Sequence, residues 1–228
     1  MLAALLLPNM DQSSIGGLHS IEFGMVKWPV MHAENEGMAA YPSKVASAAA
    51  YWNPSDKSAS IGLSVGDTVA TYTAGTSYGS VRGVTFRGSG KYYFEVLVNA
   101  MNSSFIGIAN SSFVFGTDFV GKTVDGFGYF PPGNVIYNNG SVICNSFANG
   151  DVLMFAYDVT NGNLWVGING VWEAGGNPGA GTGAQYTATT IGSCTPCFSG
   201  GTNADNITLR TASGDFGYGI PSGFSAWG

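Results

Sequence analysis

Charge is the scarcest property of this 228-residue chain, of which only 10% is Asp, Glu, Lys or Arg, against about 25% in ordinary globular proteins. With 8 Lys+Arg and a net charge of −6, it has too few cations for a groove that tracks a phosphate backbone, which argues against nucleic acid as a partner. Histidine is equally scarce. His19 and His32 are the two in the chain and both stand near its N-terminus, so a Ser-His-Asp or Cys-His set would have to borrow its base from there. No carboxylate pair is placed by sequence for glycosidase chemistry, and no loop gathers the several oxygens calcium needs. No catalytic residue, metal ligand or cofactor is therefore assigned, and the chain reads as non-enzymatic.

Cysteine numbers three, Cys144, Cys194 and Cys197, so at least one is unpaired within the chain. The Cys194-Thr195-Pro196-Cys197 spacing admits half a zinc site, a redox pair, or two small buried hydrophobes on or beside a late strand. Long apolar runs are missing as well. Met1 to Leu7 is apolar but ends at Pro8 and carries no basic residue; it is far shorter than the roughly 20 residues of a membrane span and falls short of a secretory leader. Neither a span nor a secretion signal is expected.

What the chain has in abundance is glycine, 35 residues, together with 13% aromatics, a composition suited to short strands joined by many turns. Asn161-Gly162 and Asn169-Gly170 are pairs that favour the two positive φ angles of a type I′ hairpin. Between them Leu164, Val166 and Ile168 alternate, predicting a half-buried antiparallel strand with Trp165 on the opposite, open face. Residues 91–98 alternate again, and Asn138-Asn139-Gly140 is a third turn signal. Asp67, Asp151 and Asp158 fall at turns, where their oxygens can cap amides. Met38 to Tyr51, Ala-rich over Val45 to Ala50, is the one stretch suited to a helix. Gly179 to Gly183 lacks the strand, helix and Lys of a phosphate loop and reads as a flexible loop. Many short strands without intervening helices predict two packed antiparallel sheets.

Particular segments carry a family resemblance. Gly150-Asp151-Val152, Asp158-Val159-Thr160-Asn161-Gly162-Asn163-Leu164 and Ile168-Asn169-Gly170 resemble the signature hairpin of SPRY domains. Trp52 to Lys57, Ser80-Val81-Arg82-Gly83, Gly90 to Val96 and Phe105 to Ala109 are similar to other SPRY segments in the same order. The resemblance spans roughly residues 50–212. Phe94 stands where the family usually has Trp, and Phe113 to Lys122 matches no ligand-reading motif. The implied fold is an all-β antiparallel sandwich, SPRY-like with a concanavalin-like jelly roll, over residues 41–228.

Residues 1–40 are expected to form an extended N-terminal arm, because Leu5, Leu6, Leu7, Ile21, Phe23 and Trp28 need burial, either on the chain's own sandwich or in a neighbouring subunit. Trp165 is expected to lie under that arm or a second subunit. In SPRY domains loops at one edge of the sandwich recognise partner segments, so the resemblance implies a binding edge at Arg82, the aromatic loop Phe113 to Phe119 with its Phe115 and Phe119, and the turn Ser199-Gly200-Gly201; Phe130, Tyr137 and Trp172, aromatics beside turns, are added to it as interface candidates. For Arg82 a structural ion pair with Glu95 or a neighbouring acid is the alternative. Low charge and a mean hydropathy of +0.14 fit a component of an assembly. The hairpin and the long Gly-rich loop resemble SPRY domains of the bacteriophage and bacterial type. The expected role is a virion structural protein, head-decorating or in the tail or fibre, with other virion proteins or itself as partner and a host surface receptor or glycan as a further one. The alternative is a free-standing peptide- or carbohydrate-binding module.

Overall fold

The computed structural model describes residues 49–75 and 77–228. The arm residues Leu5, Leu6, Leu7, Ile21, Phe23 and Trp28 lie outside the described residues, as does most of the expected helix; Ala49 to Tyr51 carry none.

Two sheets form the sandwich. The first runs, in spatial order, β1 (Trp52–Lys57), β4 (Gly79–Gly83), β13 (Cys194–Gly200), β6 (Phe105–Asn110), β7 (Gly126–Phe130), β8 (Asn134–Tyr137) and β9 (Gly140–Ile143). The second runs β12 (Val171–Trp172), β11 (Asn163–Ile168), β10 (Val152–Asp158), β5 (Lys91–Ala100), β14 (Asn206–Arg210), β3 (Val69–Tyr72) and β2 (Ile61–Ser64). Every pairing in these paths is antiparallel, and β15 (Ser225–Ala226) adds a short parallel pair beside Tyr92 and Tyr93 of β5.

Alternation along the strands sends one row of side chains from each sheet inward. Val81, Ile106, Ile108, Phe127, Tyr129 and Phe198 from the first sheet meet Phe94, Val96, Phe155, Tyr157, Leu164 and Val166 from the second. Phe94 stacks on Phe155 with ring centres 4.7 Å apart and meets the edge of Trp227 at 5.3 Å. The indole of Trp227 is wholly buried beside Phe94.

The turns follow their residues with one exception. Asn169-Gly170, at φ 49° and 87°, closes the Ile168–Val171 pair as a two-residue type I′ turn, and Asn138-Asn139 does the same between Tyr137 and Gly140. Asn161-Gly162 does not: the strands stop pairing at Asp158 and Asn163, leaving a longer loop in which only Gly162 has positive φ. The reason is Asp158, whose carboxylate accepts from the Asn161 amide and side chain and caps the wider turn. Asp151 caps Ala148 N similarly.

The β11 strand is buried on both faces, not one. Trp165 is 1% exposed, and its cover is the chain's own. Its Nε1 donates to Thr182 O at 2.8 Å, Phe224 meets it edge-on at 6.0 Å, and Tyr93, Met154 and Trp172 share its cluster. The C-terminal segment after β14 is held there by Glu95, whose buried carboxylate accepts from Gly217 N, Tyr218 N and the Tyr93 hydroxyl. The expected arm lies outside the described residues; among these, the strap and the segment at Thr182 enclose Trp165.

Candidate functional site

The outer face of the first sheet is built to carry a loop. Gly107, Gly126 and Gly128 stand where alternation would otherwise raise side chains, and a Cβ on Gly107 or Gly128 would collide with Phe127 O or Val120 O respectively. Across this gap the segment between β6 and β7, residues 111–125, folds back onto the sheet. Val120 N donates to Ser199 Oγ at 3.0 Å, and that hydroxyl lies 2.8 Å from Ser80 Oγ in a buried pair. Farther on, Asn138 N and Asn139 N donate to Thr123 O and Gly121 O.

Arg82 clamps the start of the same loop. Its Nε and Nη2 donate to the two Asp56 oxygens at 2.8 and 2.9 Å, and Nη1 donates to Asn110 O at 2.7 Å and Phe113 O at 3.1 Å. The Phe115 ring lies over the guanidinium, 4.5 Å from Cζ to ring centre, a cation–π contact. Arg82 is thus a bidentate anchor, and Asp56, not Glu95, is its partner; Glu95 lies in the other sheet near Arg210.

Above the sheet the loop stacks aromatics. Phe119 lies on Phe105 at 3.9 Å, Phe105 on Phe130 at 4.6 Å, and Tyr78 meets Phe119 and Phe105 edge-on. Ser77 Oγ donates to Gly116 O, joining the neighbouring loop. Phe115, Phe119 and Tyr78 stay half-buried, while Val114 and Val124 are 65% and 51% exposed. The result is a braced, largely apolar surface with Asp118 and Lys122 at its margin.

Five of the residues expected at one edge therefore share this face: Arg82, Phe115, Phe119, Phe130 and Ser199, the last buried beneath it. Tyr137 and Trp172 do not. Tyr137 points inward, stacked on Phe127 at 4.9 Å, because side chains along a strand alternate, and Trp172 packs against Tyr93 on the outer face of the second sheet, to which β12 belongs. Asp56, Tyr78 and Phe105 were not singled out as site residues by sequence. Phe105 could have been found, since alternation opposes it to the inward Ile106 and Ile108.

The face is made of apolar and aromatic side chains over one ion pair. Among the described residues no three His, Cys, Asp or Glu side chains cluster as metal ligands. Cys194 and Cys197, three apart on β13, enter different clusters, Cys194 in the core and Cys197 under the loop. Of the three readings of that spacing, the small buried hydrophobe is the one realised. Burial pushes the Cys194 thiol up to about 12 and raises that of Cys197 as well.

No family model matches the sequence, and no curated protein matches it. Solved structures do match the fold. The SPRY domain of human HERC1 superposes with a TM-score of 0.58 at 18% identity, covering 70% of this chain and 96% of that one. The PSpry domain of TRIM65 gives 0.55 at 14%, covering 71% and 89%. Stonustoxin gives 0.53 at 16%, covering 71% of this chain and 27% of the toxin. The described residues thus form a SPRY-like β-sandwich.

Proposed function

We propose that this chain is a non-enzymatic interaction protein whose SPRY-like sandwich binds a protein partner through the 113–119 loop and its aromatic bed. The observation that carries the reading is the contrast within that loop. Its backbone is tied down by Arg82 and Ser199, while Val114 is left open to solvent. A braced apolar surface loses little entropy on binding, and half-buried aromatics are the usual anchors of interfaces. The structures similar in fold are SPRY and PSpry domains by name, which supports the same use.

In its narrower form the proposal is a bacteriophage virion component, head-decorating or in the tail or fibre, with its arm docked on other virion proteins or on itself and a host receptor or glycan as an outer partner. The low charge and apolar Leu5, Leu6 and Leu7 support that reading. It is tested by light scattering on the full chain beside a Leu5→Asp, Leu6→Asp, Leu7→Asp variant. Assembly beyond a dimer that collapses in the variant with unchanged melting is expected; identical masses overturn arm-driven self-assembly. The loop is tested separately with a displayed peptide library. Enriched peptides are expected to lose binding to Val114→Asp, and retention of that binding removes the loop from the site.

A further inference from the structure

Sheet edges are templates for further strands, and soluble proteins blunt them with charge, proline, bulges or brevity. Three of the four edges in this sandwich are treated that way. The β1 edge carries Pro54, Asp56 and Lys57 and an irregular register. On β2, the Lys57 ammonium caps Ile61 O at 2.7 Å. The β12 edge is two residues long.

The fourth edge, β9, has none of these devices. Gly140-Ser141-Val142-Ile143 contains no charge and no proline, and Ile143 is 85% exposed. Residues 126–150 contain no Asp, Glu, Lys, Arg or His, in a chain of net charge −6. The phase of the strand is set by its neighbours. Cys144 N donates to Gly133 O on the β8 side, and Gly140 faces Tyr137 across a two-residue turn. Backbone groups alternate in direction along a strand, so Ser141 and Ile143 direct their N–H and C=O groups away from β8. Among the described residues no strand receives them.

We infer that β9 pairs antiparallel with β9 of a second copy, joining two seven-stranded sheets across a twofold axis at Val142. In that register Ser141 of each copy faces Ile143 of the other, so two pairs exchange about four backbone hydrogen bonds, and the small serine leaves room for the isoleucine. A second copy is the occupant that the charge pattern favours. Two acidic chains repel wherever their carboxylates approach, and the long uncharged stretch around β9 lets them meet with least repulsion. The contact is self-complementary, as a closed dimer requires. This inference stands apart from the proposed loop site and from the arm.

The test is light scattering and amide exchange on the full chain over a wide concentration range, beside Ile143→Lys and Ser141→Pro. Ile143 is solvent-exposed, so Ile143→Lys leaves the fold intact, and a melting temperature equal to the parent's at dilutions where both are monomeric verifies it. The expected result is a reversible dimer in the parent, half that mass in both variants, and exchange at Ser141 and Ile143 slowed about tenfold or more at high concentration only. Equal masses at every concentration, or exchange at these amides independent of concentration, overturn the inference. An assembly that persists in both edge variants and is lost in the arm variant overturns it too, while leaving the arm reading standing.

Discussion

The guanidinium of Arg82 and the carboxylate of Asp56 form a two-pronged ion pair, 2.8 and 2.9 Å, between neighbouring strands of one sheet. Because the same guanidinium also binds Asn110 O and Phe113 O, the pair fixes where the exposed loop begins. Of the two readings of Arg82, a binding-edge contact or a structural ion pair with an acid, the ion pair is present, and it is the post to which the loop is tied.

Removing the post should therefore cost more than removing its counter-ion. Asp56 is partly open to water, its side chain 29% exposed, which lowers the value of the pair itself. Asp56→Ala is expected to destabilise by about 1–2 kcal/mol, and Arg82→Ala, which also orphans two carbonyls, by about 3 kcal/mol. Arg82→Lys keeps the charge and loses the fork, so it should fall between them. Urea unfolding gives the order, and proteolysis within residues 111–119 should accelerate in the same order. Equal losses for Asp56→Ala and Arg82→Ala would show that the carbonyl contacts contribute nothing.

The glycines beneath the loop make a second, sharper case. A methyl on Gly128 points at Val120 O and one on Gly107 at Phe127 O, and backbone cannot yield as a side-chain tip can. Each Gly→Ala change is expected to cost about 3 kcal/mol or more. Gly116, with nothing near its Cβ direction but a φ of 84°, should cost only about 1 kcal/mol. Thermal melting of the three variants separates steric from conformational cost.

These residues also mark how far sequence could be read. Alternation in residues 91–98 and 163–168 and the Asn169-Gly170 turn were legible because strand and turn chemistry is local. The SPRY-like sandwich followed from them and from the resemblance. Half of the candidate face was legible for a similar reason, since Phe115 and Phe119 lie in one short loop. What failed depended on partners remote in the chain. The choice of Asp56 over Glu95 rests on which strands are neighbours, and the burial of Trp165 rests on the last residues of the chain. Tyr137 and Trp172, like Phe130, are aromatics beside turns; Tyr137 differs in the parity of its strand and Trp172 in the sheet its strand joins.

The C-terminal strap yields a third prediction. Trp227 is wholly buried, its Nε1 donating to Thr85 O and its carbonyl accepting from Arg87. Trp227→Ala should cost about 3–5 kcal/mol. Glu95→Gln keeps the shape and weakens the carboxylate's hold on Gly217 N and Tyr218 N, for about 1–3 kcal/mol. Hydrogen exchange at residues 217 and 218 should rise in Glu95→Gln, with the core strands β6 and β13 still protected. Uniform loss of protection would mean the strap and core unfold as one unit.

Alkaline pH should weaken the fold through its buried thiols. Burial pushes Cys194 up to about 12 from an ordinary value of 9.0, and burial, then the Glu173 charge, pushes Cys144 to about 12. Above pH 9 the unfolded chain releases these protons while the folded chain keeps them. The unfolded state then binds fewer protons, and stability falls as pH rises. It is fully present below about pH 9 and is lost progressively towards pH 12. For Cys194, which is completely buried, the slope is about 1.4 kcal/mol per pH unit in that window. Burial also raises Tyr93, Tyr129 and Tyr157, so the decline should steepen above pH 10. Urea midpoints measured from pH 7 to 10.5 are expected to be level to about pH 8.5 and then to drop. Cys194→Ala, less stable at neutral pH because of its cavity, should decline less steeply than the parent. Parallel curves for the two proteins would show that this thiol titrates alike in the folded and unfolded states.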